Sequence, residues 1–390
     1  MRLTGCDFQY SNLPIPVGDA MSQPSSRSRK RSSTSNQSGT TKTSKSCSAY
    51  SSNFELKLID HGIYPKGYEF EDNRTPPPPA NLEDIRRRLT QPRLSLSPSQ
   101  FSESDFNNFE RHNDRAQTEW KAMTKVVPII AGDSDDRHPS EADVPFGHLE
   151  PMSKDIVKPK PDIYYGAKPE QIDRRVRDEL GKYIVPSSDT SLPAVPNCFL
   201  EGKSAKGRAD VARRQACYDG AVGARAMHQL QNYGASPPVY DGNAYTITNI
   251  YHDGLLMMYA THPAEPKVPG GQPQYHMTQL KGYAMTGDVE TFRKGAAAFR
   301  NGRDWAKEQR DRFIADANGT AQRRSVEPSS STVKNSSTSS STAAEAEFTD
   351  SDTSADELAL DNDLTSKRPR RASPANQNRY QPSIGRDRHG

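Results

Sequence analysis

One predicted helix carries an unusually small face, and this feature limits how the chain can fold. Between about Asp210 and Asn232, mostly small side chains recur at helical spacing: Ala212, Ala216, Gly220, Gly223, Ala224 and Met227. Each glycine inside a helix costs about 1 kcal/mol relative to alanine. A helix that carries this cost is expected to lie very close to a neighbouring sheet.

The residues before this helix predict a buried strand that ends in charged side chains. The run from Cys198 to Lys203 begins with apolar residues and ends with Glu201 and Lys203. Side chains two positions apart in a strand share a face, so this carboxylate and this ammonium group point the same way. A buried strand has little use for such a pair unless an anion or a metal lies in front of it. Glu201 and Lys203 are therefore candidate functional residues.

The composition of the chain predicts one folded domain with long tails. Hydrophobic residues make up only 32% of the 390 residues, 30 residues are proline, and the mean hydropathy is -0.90. Much of such a chain cannot bury enough apolar surface to offset its conformational entropy. We expect disordered tails at residues 1–53 and 320–390 around a domain at residues 54–319. The net charge of +3 does not by itself argue for a nucleic-acid partner.

The domain is expected to combine strands and helices. Asp253-Gly254 between two strand-like runs is a strong hairpin signal. The patterns also predict helices over residues 81–89, 102–125, 169–183 and 288–319, strands over residues 162–166 and 274–285, and a loop over residues 132–160. Asn81 is the expected N-cap of the first helix, Pro169 the first residue of the third, and Asn318-Gly319 the end of the last.

Charge is concentrated in the tails. Basic islands occur at Arg27–Arg31 and Lys367–Arg371, and residues 343–364 carry eight acidic residues without one Lys or Arg. The islands are typical of nuclear localisation signals or of merely solubilising charge runs. An acidic block beside a basic one predicts a disordered tail that recruits protein partners.

Several other classes of protein are disfavoured. The four cysteines have no spacing typical of a zinc site or a disulfide framework, so we expect reduced thiols in a nuclear or cytosolic protein. No apolar run approaches the length of a membrane span, so no membrane partner is expected. The sequence does not predict an oligomeric state.

The triplet acid-x-Lys is by itself a weak signal, because it also occurs at residues 55–57, 119–121 and 265–267. Context distinguishes the match at residues 201–203. This match ends an apolar strand, and it follows a strand that begins with Pro161-Asp162. It also precedes the small-faced helix, which carries Gln215.

Pro161-Asp162, then Glu201-Gly202-Lys203, then Gln215 resembles the motif order of the PD-(D/E)xK nuclease superfamily. The chain is also similar, over about residues 54–319, to a family of uncharacterised fungal proteins; the matching runs are residues 158–166, 199–203, 214–221 and 299–304. The superfamily resemblance implies an α/β fold with a restriction-endonuclease-like core. In that core a mixed sheet carries helices on both faces.

The same resemblance implies a Mg²⁺-dependent phosphodiesterase that acts on DNA or RNA. Asp162 and Glu201, with the carbonyl of Gly202, would hold Mg²⁺, which prefers oxygen ligands. Lys203 would orient or deprotonate the attacking water, and Gln215 would position water or a phosphate. Two further roles are expectations only: Tyr218 would assist Gln215, and Glu110 would be an extra carboxylate from a helix.

A second interpretation stays open beside the catalytic one. Asp162, Glu201 and Lys203 would form only a structural ion pair or a relict site in a protein that has lost catalysis, since a fold does not imply an activity. The chain would then be a nuclear binding or scaffold protein of a fungal family, with tails that recruit partners.

Overall fold

The computed structural model describes residues 46–132 and 137–326, and the strands in these residues form one mixed sheet. The strands are β1 (Ile63–Tyr64), β2 (Ser140–Ala142), β3 (Ile163–Ala167), β4 (Ala194–Lys203), β5 (Thr246–His252), β6 (Leu255–Ala264) and β7 (Gln274–Ala284). Their order across the sheet is β1-β7-β6-β5-β4-β3-β2. Strand β2 lies within the predicted loop at residues 132–160, where three residues pair with β3 at the sheet edge.

Helices occupy both faces of this sheet. They are α1 (Phe54–Asp60), α2 (Leu82–Leu89), α3 (Glu103–Asp114), α4 (Glu119–Lys121), α5 (Val127–Ala131), α6 (Arg174–Ile184), α7 (Ala209–Gln231) and α8 (Val289–Val326). A π-helical segment, Ala122–Val126, joins α4 to α5. Phe199 of β4 packs in the apolar cluster that contains most of α7, whereas Cys198 and Leu200 pack in the cluster that contains α8. The expected α/β core with helices on both faces is therefore confirmed.

The centre of the sheet is a β–α–β unit. Strand β3 pairs antiparallel with β4, and β4 pairs parallel with β5 after the chain has crossed over through α7. Every residue of β4 is buried, which explains why apolar and polar residues do not alternate along its sequence. The strand begins four residues before the predicted Cys198 and ends at Lys203 as expected.

The small face of α7 does pack closely on the sheet, as its sequence predicts. A Cβ atom at Gly220 would lie 2.3 Å from Oγ1 of Thr261, and one at Gly223 would lie 2.7 Å from the ring of Phe199. Both distances are shorter than side-chain atoms tolerate. The glycines are therefore required by packing, which offsets their cost in helix propensity.

The predicted hairpin is also present. Strands β5 and β6 pair antiparallel on either side of Asp253 and Gly254. Both residues have positive φ values, 46° and 80°, as a tight two-residue hairpin turn requires. The strand predicted over residues 274–285 corresponds to β7.

The single helix predicted over residues 102–125 is wrong. Helix α3 ends at Asp114, and the hydroxyl of Thr118 caps a new helix by accepting a hydrogen bond from the amide of Lys121. The side chain of Asn113 is buried and accepts a hydrogen bond of 2.5 Å from the hydroxyl of Tyr251. The periodic apolar pattern continues across this break because both pieces pack on the same core.

The predicted end of the last helix at Asn318-Gly319 is also wrong, because α8 continues to Val326. The side chain of Asn318 accepts a hydrogen bond from the amide of Asp173 and donates one to the carbonyl of Gln171. Ala321, one turn later, is buried. These tertiary contacts stabilise the helix past the residues that usually end one.

Two predicted helix starts differ in detail. Pro169 begins a short 3₁₀ turn, and α6 starts only after Asp173, whose side chain caps the amide of Arg175 at 2.8 Å. Asn81 does precede α2, but its side chain bonds both backbone groups of Ala244 instead of capping the helix. Asp173 makes a local cap, whereas Asn81 has a tertiary partner that the local sequence does not indicate.

Three of the four cysteines lie in the described residues, and all three are free and buried: Cys47, Cys198 and Cys217. No helix in this part of the chain is both long enough and apolar enough to span a bilayer. The predicted tails, apart from residues 46–53 and 320–326, lie outside the described residues. The two basic islands and the acidic block belong to those tails.

Candidate active site

The ends of β3 and β4 bring two predicted carboxyl groups together. Asp162 directly precedes β3, and the antiparallel register of the two strands places it across from Glu201. The backbone amide of Gly202 donates a hydrogen bond of 2.7 Å to Oδ2 of Asp162. The amide of Asp162 in turn lies 3.4 Å from Oε1 of Glu201. The long segment between these strands therefore does not prevent the expected meeting of Asp162 and Glu201.

Lys203 joins the same cluster from β4, but its nearest carboxylate was not predicted. Its Nζ lies 2.9 Å from Oε2 of Glu119 and 3.7 Å from Oδ2 of Asp162. Glu119 is the first residue of α4 and belongs to one of the triplets that resembled the motif by chance. A carboxylate from a helix thus does reach the site, and it comes from Glu119.

A fourth carboxyl group, that of Asp219, approaches from α7. It lies within hydrogen-bonding reach of the Glu201 carboxyl, and both residues are almost completely buried. Two carboxyl groups can share a hydrogen bond only when one of them keeps a proton. The sequence did carry a signal for Asp219, because this carboxylate interrupts the small-residue run of α7 four positions after Gln215.

Burial and mutual repulsion change the acidity of these groups. Burial, followed by the charge of Glu119, raises the pKa of Asp162 to about 7, although Lys203 opposes this change. Burial also raises the pKa of Asp219 to about 7, and it raises that of Glu201 well above its ordinary value. Burial alone would lower the pKa of Lys203, but Asp162, Glu201 and Glu119 together raise it. The cluster therefore favours a charged lysine and protonated acids.

The carboxyl oxygens at the site suit a hard cation. Among the described residues, Oε2 of Glu201 and Oδ2 of Asp219 are buried with no donor other than a proton shared between the two carboxyl groups. A proton or a divalent cation would satisfy such oxygens, and Mg²⁺ is usually held by one or two carboxylates plus waters and phosphate. Within the described ranges, no three His, Cys, Asp or Glu side chains form a complete metal cage. Gly202 contacts Asp162 through its amide, so a role for its carbonyl as a ligand stays a prediction.

The segment formed by α4 and the π-helical turn, Glu119–Val126, lies against the end of β4. Its Met123 side chain packs so tightly on Gly202 that a Cβ atom there would lie 2.2 Å from the sulfur. Lys203 is 2% exposed and Glu201 1%, whereas the Glu119 side chain keeps 20% of its surface. We call residues Glu119–Val126 the cover segment. Its Glu119 lies at the Lys203 end of the carboxyl cluster, whereas Met123 packs on the other side of β4, where Gly202 faces the apolar cluster of α8.

The other three predicted residues are Gln215, Tyr218 and Glu110. Gln215 lies on α7 one turn before Asp219, and its side-chain oxygen is buried with no hydrogen-bond partner among the described residues. Tyr218 packs edge-on against Phe54, and its hydroxyl is also unpartnered among the described residues. Glu110 instead accepts a hydrogen bond from the amide of Gly287.

The remaining acid-x-Lys triplets lie elsewhere. Glu55 and Lys57 belong to α1, where they lie beside Arg214 and Asp155 respectively. Glu265 and Lys267 follow β6, which runs back from the hairpin to the opposite end of the sheet from Lys203. Context in the sequence therefore selected the one triplet that ends a central strand.

Comparison with known proteins gives a family without an assigned function. Residues 96–317 match the family described as Domain of unknown function (DUF7924). The comparison with curated proteins finds no match, and neither does the comparison with solved structures. The match includes α3 to α7, every strand from β2 to β7, and all the residues of the carboxyl cluster. It spans more than half of the 390 residues, so the chain belongs to the DUF7924 family.

Proposed function

We propose that this domain is a Mg²⁺-dependent phosphodiesterase of the PD-(D/E)xK type that acts on DNA or RNA. One observation carries the proposal: Asp162, Glu201 and Lys203 converge at the ends of two adjacent central strands. The meander β2–β3–β4 followed by α7 and the parallel strand β5 also agrees with the core that this superfamily resemblance implies. The proposal extends to a nuclear location and a fungal origin, which rest on the sequence alone.

The cation would be held by Asp162 and Glu201, with the carbonyl of Gly202 as a third ligand and Asp219 close to Glu201. The unpartnered oxygens of Glu201 and Asp219 support this assignment. When bound, Mg²⁺ would polarise the phosphodiester and make the attacking water more acidic. Asp162 and Glu201 would have to lose their protons first, so binding is expected to release protons.

The surroundings of Lys203 favour one of its two predicted roles. Neighbouring carboxylates raise its pKa above the ordinary value, so the lysine holds its proton firmly. A lysine in this state is a poor base. It is suited to orient water by donating a hydrogen bond and to offset the charge that builds on the phosphate. Gln215, one turn before Asp219 on α7, would position water or a phosphate.

Access to the site requires the cover segment to move. The ion pair between Lys203 and Glu119 and the contact of Met123 with Gly202 both hold this segment in place. A phosphate group entering the site would compete with Glu119 for Lys203. Within this proposal, substrate binding therefore replaces a carboxylate by a phosphate at the same ammonium group.

A second candidate function is favoured by the burial of the cluster. Glu201, Lys203 and Asp219 are as buried as residues of a hydrophobic core. A buried ion cluster can persist in a binding or scaffold protein that has no catalysis. In that case the domain would be a nuclear binding module, and its tails would recruit protein partners.

A cleavage assay separates the two functions. The full-length protein is incubated with single- and double-stranded DNA and RNA, with Mg²⁺, Mn²⁺ or no divalent cation. We expect cation-dependent cleavage that Lys203→Ala abolishes and that Lys267→Ala leaves intact. Lys267 is a matched control because it belongs to an acid-x-Lys triplet at the opposite end of the sheet. Cleavage that persists in Lys203→Ala would indicate contamination and exclude the catalytic assignment.

A further inference from the structure

A basic cavity lies on the face of the sheet that carries α8. Its volume is about 790 Å³, within the range of small-molecule sites. Seven lining residues are Arg or Lys and three are Asp or Glu. The charges of two of them, Arg303 and Arg310, partly oppose the rise that burial causes in the pKa of the Cys198 thiol. Cys198 packs in the same apolar cluster as α8. Glu201 and Lys203 alternate with Cys198 along β4 and point to the other face, so this cavity is separate from the candidate active site.

The acidic residues of the cavity already have partners. Asp304 binds Arg93 at 2.6 Å and His138 at 3.0 Å. Asp311 pairs with Lys307 and Glu308 pairs with Arg88. None of these carboxylates is paired with Arg303 or Arg310. Among the described residues, these pairs neutralise Arg93 and Lys307 and leave Arg303 and Arg310 without a paired carboxylate.

Two buried arginines have donors without acceptors. Arg303 is 4% exposed, and its Nε and Nη1 have no hydrogen-bond partner in the part of the chain that the structure describes. Arg310 is 1% exposed; its Nη1 donates to Asn197 at 2.5 Å, but its Nε has no acceptor among the described residues. Burial lowers the pKa of Arg310 to about 10, although the charge of Asp311 opposes this change. Leaving a buried charge unpaired is costly, so these donors favour a bound anion.

We propose that this cavity binds a phosphorylated small molecule, with a phosphate group on Arg303 and Arg310. The planar guanidinium matches two oxygens of a phosphate, and a phosphate offers more acceptor oxygens and charge than a single carboxylate. Lys168 is exposed at the cavity and would contact a second phosphate or the mouth of the site. This proposal is independent of cleavage at Asp162 and Glu201.

Thermal unfolding of the full-length protein with inorganic pyrophosphate tests this site. The experiment is done without divalent cations and at constant ionic strength, with citrate as a tricarboxylate of comparable charge. We expect pyrophosphate to raise the unfolding temperature of the wild type more than citrate does. No response to pyrophosphate, or a larger response to citrate, would overturn the assignment to phosphate.

Variants locate the binding. Arg303→Gln is expected to weaken pyrophosphate binding by about tenfold to a hundredfold, the value of a charge-assisted hydrogen bond. Lys168→Gln, which changes an exposed residue, is expected to weaken it by about twofold to fivefold. Arg225→Gln is the matched control, because Arg225 is a buried arginine on α7 that donates to the carbonyl of Glu150. Equal binding by Arg303→Gln, Lys168→Gln and the wild type would contradict the proposed site.

Discussion

At the scale of single residues, the ammonium group of Lys203 balances a group of buried carboxyls. Glu119 and Asp162 approach it directly, and Glu201 and Asp219 lie behind them. Each carboxyl raises the pKa of its neighbours, so the charge of Lys203 and the protonation of the acids depend on each other.

The stability of a Lys203→Met variant tests this balance. At pH 8 the acids lose protons, and removal of the ammonium group is expected to cost about 3–5 kcal/mol, as for other broken buried ion pairs. At pH 5 the loss should be smaller, because Asp162 and Asp219, with pKa values of about 7, are then neutral. Urea unfolding at both pH values measures the difference. Lys182→Met, which breaks a surface pair with Glu150, is the control. If Lys203→Met lost the same unfolding free energy at both pH values, the proposed coupling between Lys203 and the buried acids would be contradicted.

At the scale of elements, close packing of α7 on the sheet holds Asp219 against Glu201. The helix can approach the strands because Gly220 and Gly223 present no side chain to Thr261 and Phe199. The strand supplies the other half of the site, since alternation along β4 places Glu201 and Lys203 on the face that α7 covers. The geometry of the carboxyl cluster therefore depends on two glycines whose Cβ positions face Thr261 and Phe199 rather than the carboxyl groups.

Glycine replacements in two helices are expected to have opposite effects. Gly220→Ala should destabilise the protein by about 1–3 kcal/mol, because the new methyl group overlaps Thr261. Gly181→Ala in α6 should stabilise it by about 0.5–1 kcal/mol, because the nearest atom to its Cβ is 3.9 Å away and alanine favours a helix. Urea unfolding measures both. A stabilising Gly220→Ala would show that the helix lies farther from the sheet than described.

The pairing of β6 with β7 places His262 against His276, with the rings 5.2 Å apart. Burial lowers both pKa values to about 4. The charge of His276 lowers that of His262 further, and the charge of Lys267 lowers that of His276 further. The unfolded chain, with histidine pKa values of about 6.5, then binds more protons than the folded one between pH 6.5 and pH 4. Stability contributed by the neutral pair is therefore present above pH 6.5 and is lost as the pH falls towards 4.

The variant His276→Gln should reduce this acid sensitivity. The loss of unfolding free energy between pH 7 and pH 4.5 is expected to be about 2 kcal/mol smaller than in the wild type. His148→Gln, at an exposed position, should leave the loss unchanged. Urea unfolding at the two pH values provides the comparison, and an unchanged loss in His276→Gln would contradict the buried pair.

Local patterns predicted the elements whose ends depend on nearby residues. The β5–β6 hairpin follows from the backbone freedom of Asp253-Gly254, and β4 follows from its apolar run. The break after α3 and the continuation of α8 past Gly319 depend on tertiary hydrogen bonds of Asn113 and Asn318. Local sequence cannot indicate such partners.

The part of the candidate site that depends on local sequence could also be predicted. Asp162, Glu201 and Lys203 could be predicted because strand alternation and motif order act along the chain. Glu119 and Asp219 reach the cluster only through the packing of α4 and α7 around β4. Glu119 belongs to an acid-x-Lys triplet whose sequence context does not predict a functional role.

At the scale of the whole molecule, two charged sites of different character lie on opposite faces of one sheet. The α7 face holds a carboxyl-rich cluster whose lysine pairs with Glu119 of the cover segment, and the α8 face holds an open basic cavity. The first is suited to a cation and the second to an anion. A phosphorylated ligand in the basic cavity would lie across β4 from the carboxyl cluster.

The decisive measurement is Mn²⁺ binding to the full-length protein, followed by electron paramagnetic resonance at pH 8 and pH 5. We predict one Mn²⁺ bound at pH 8, with weaker binding at pH 5 because protons compete for Asp162 and Glu201. Glu201→Gln should weaken this binding by at least about tenfold, while Glu265→Gln, in the triplet at the opposite end of the sheet, should keep it. Equal affinity of Glu201→Gln and the wild type, or no Mn²⁺ bound at pH 8, would contradict a cation site at Asp162 and Glu201.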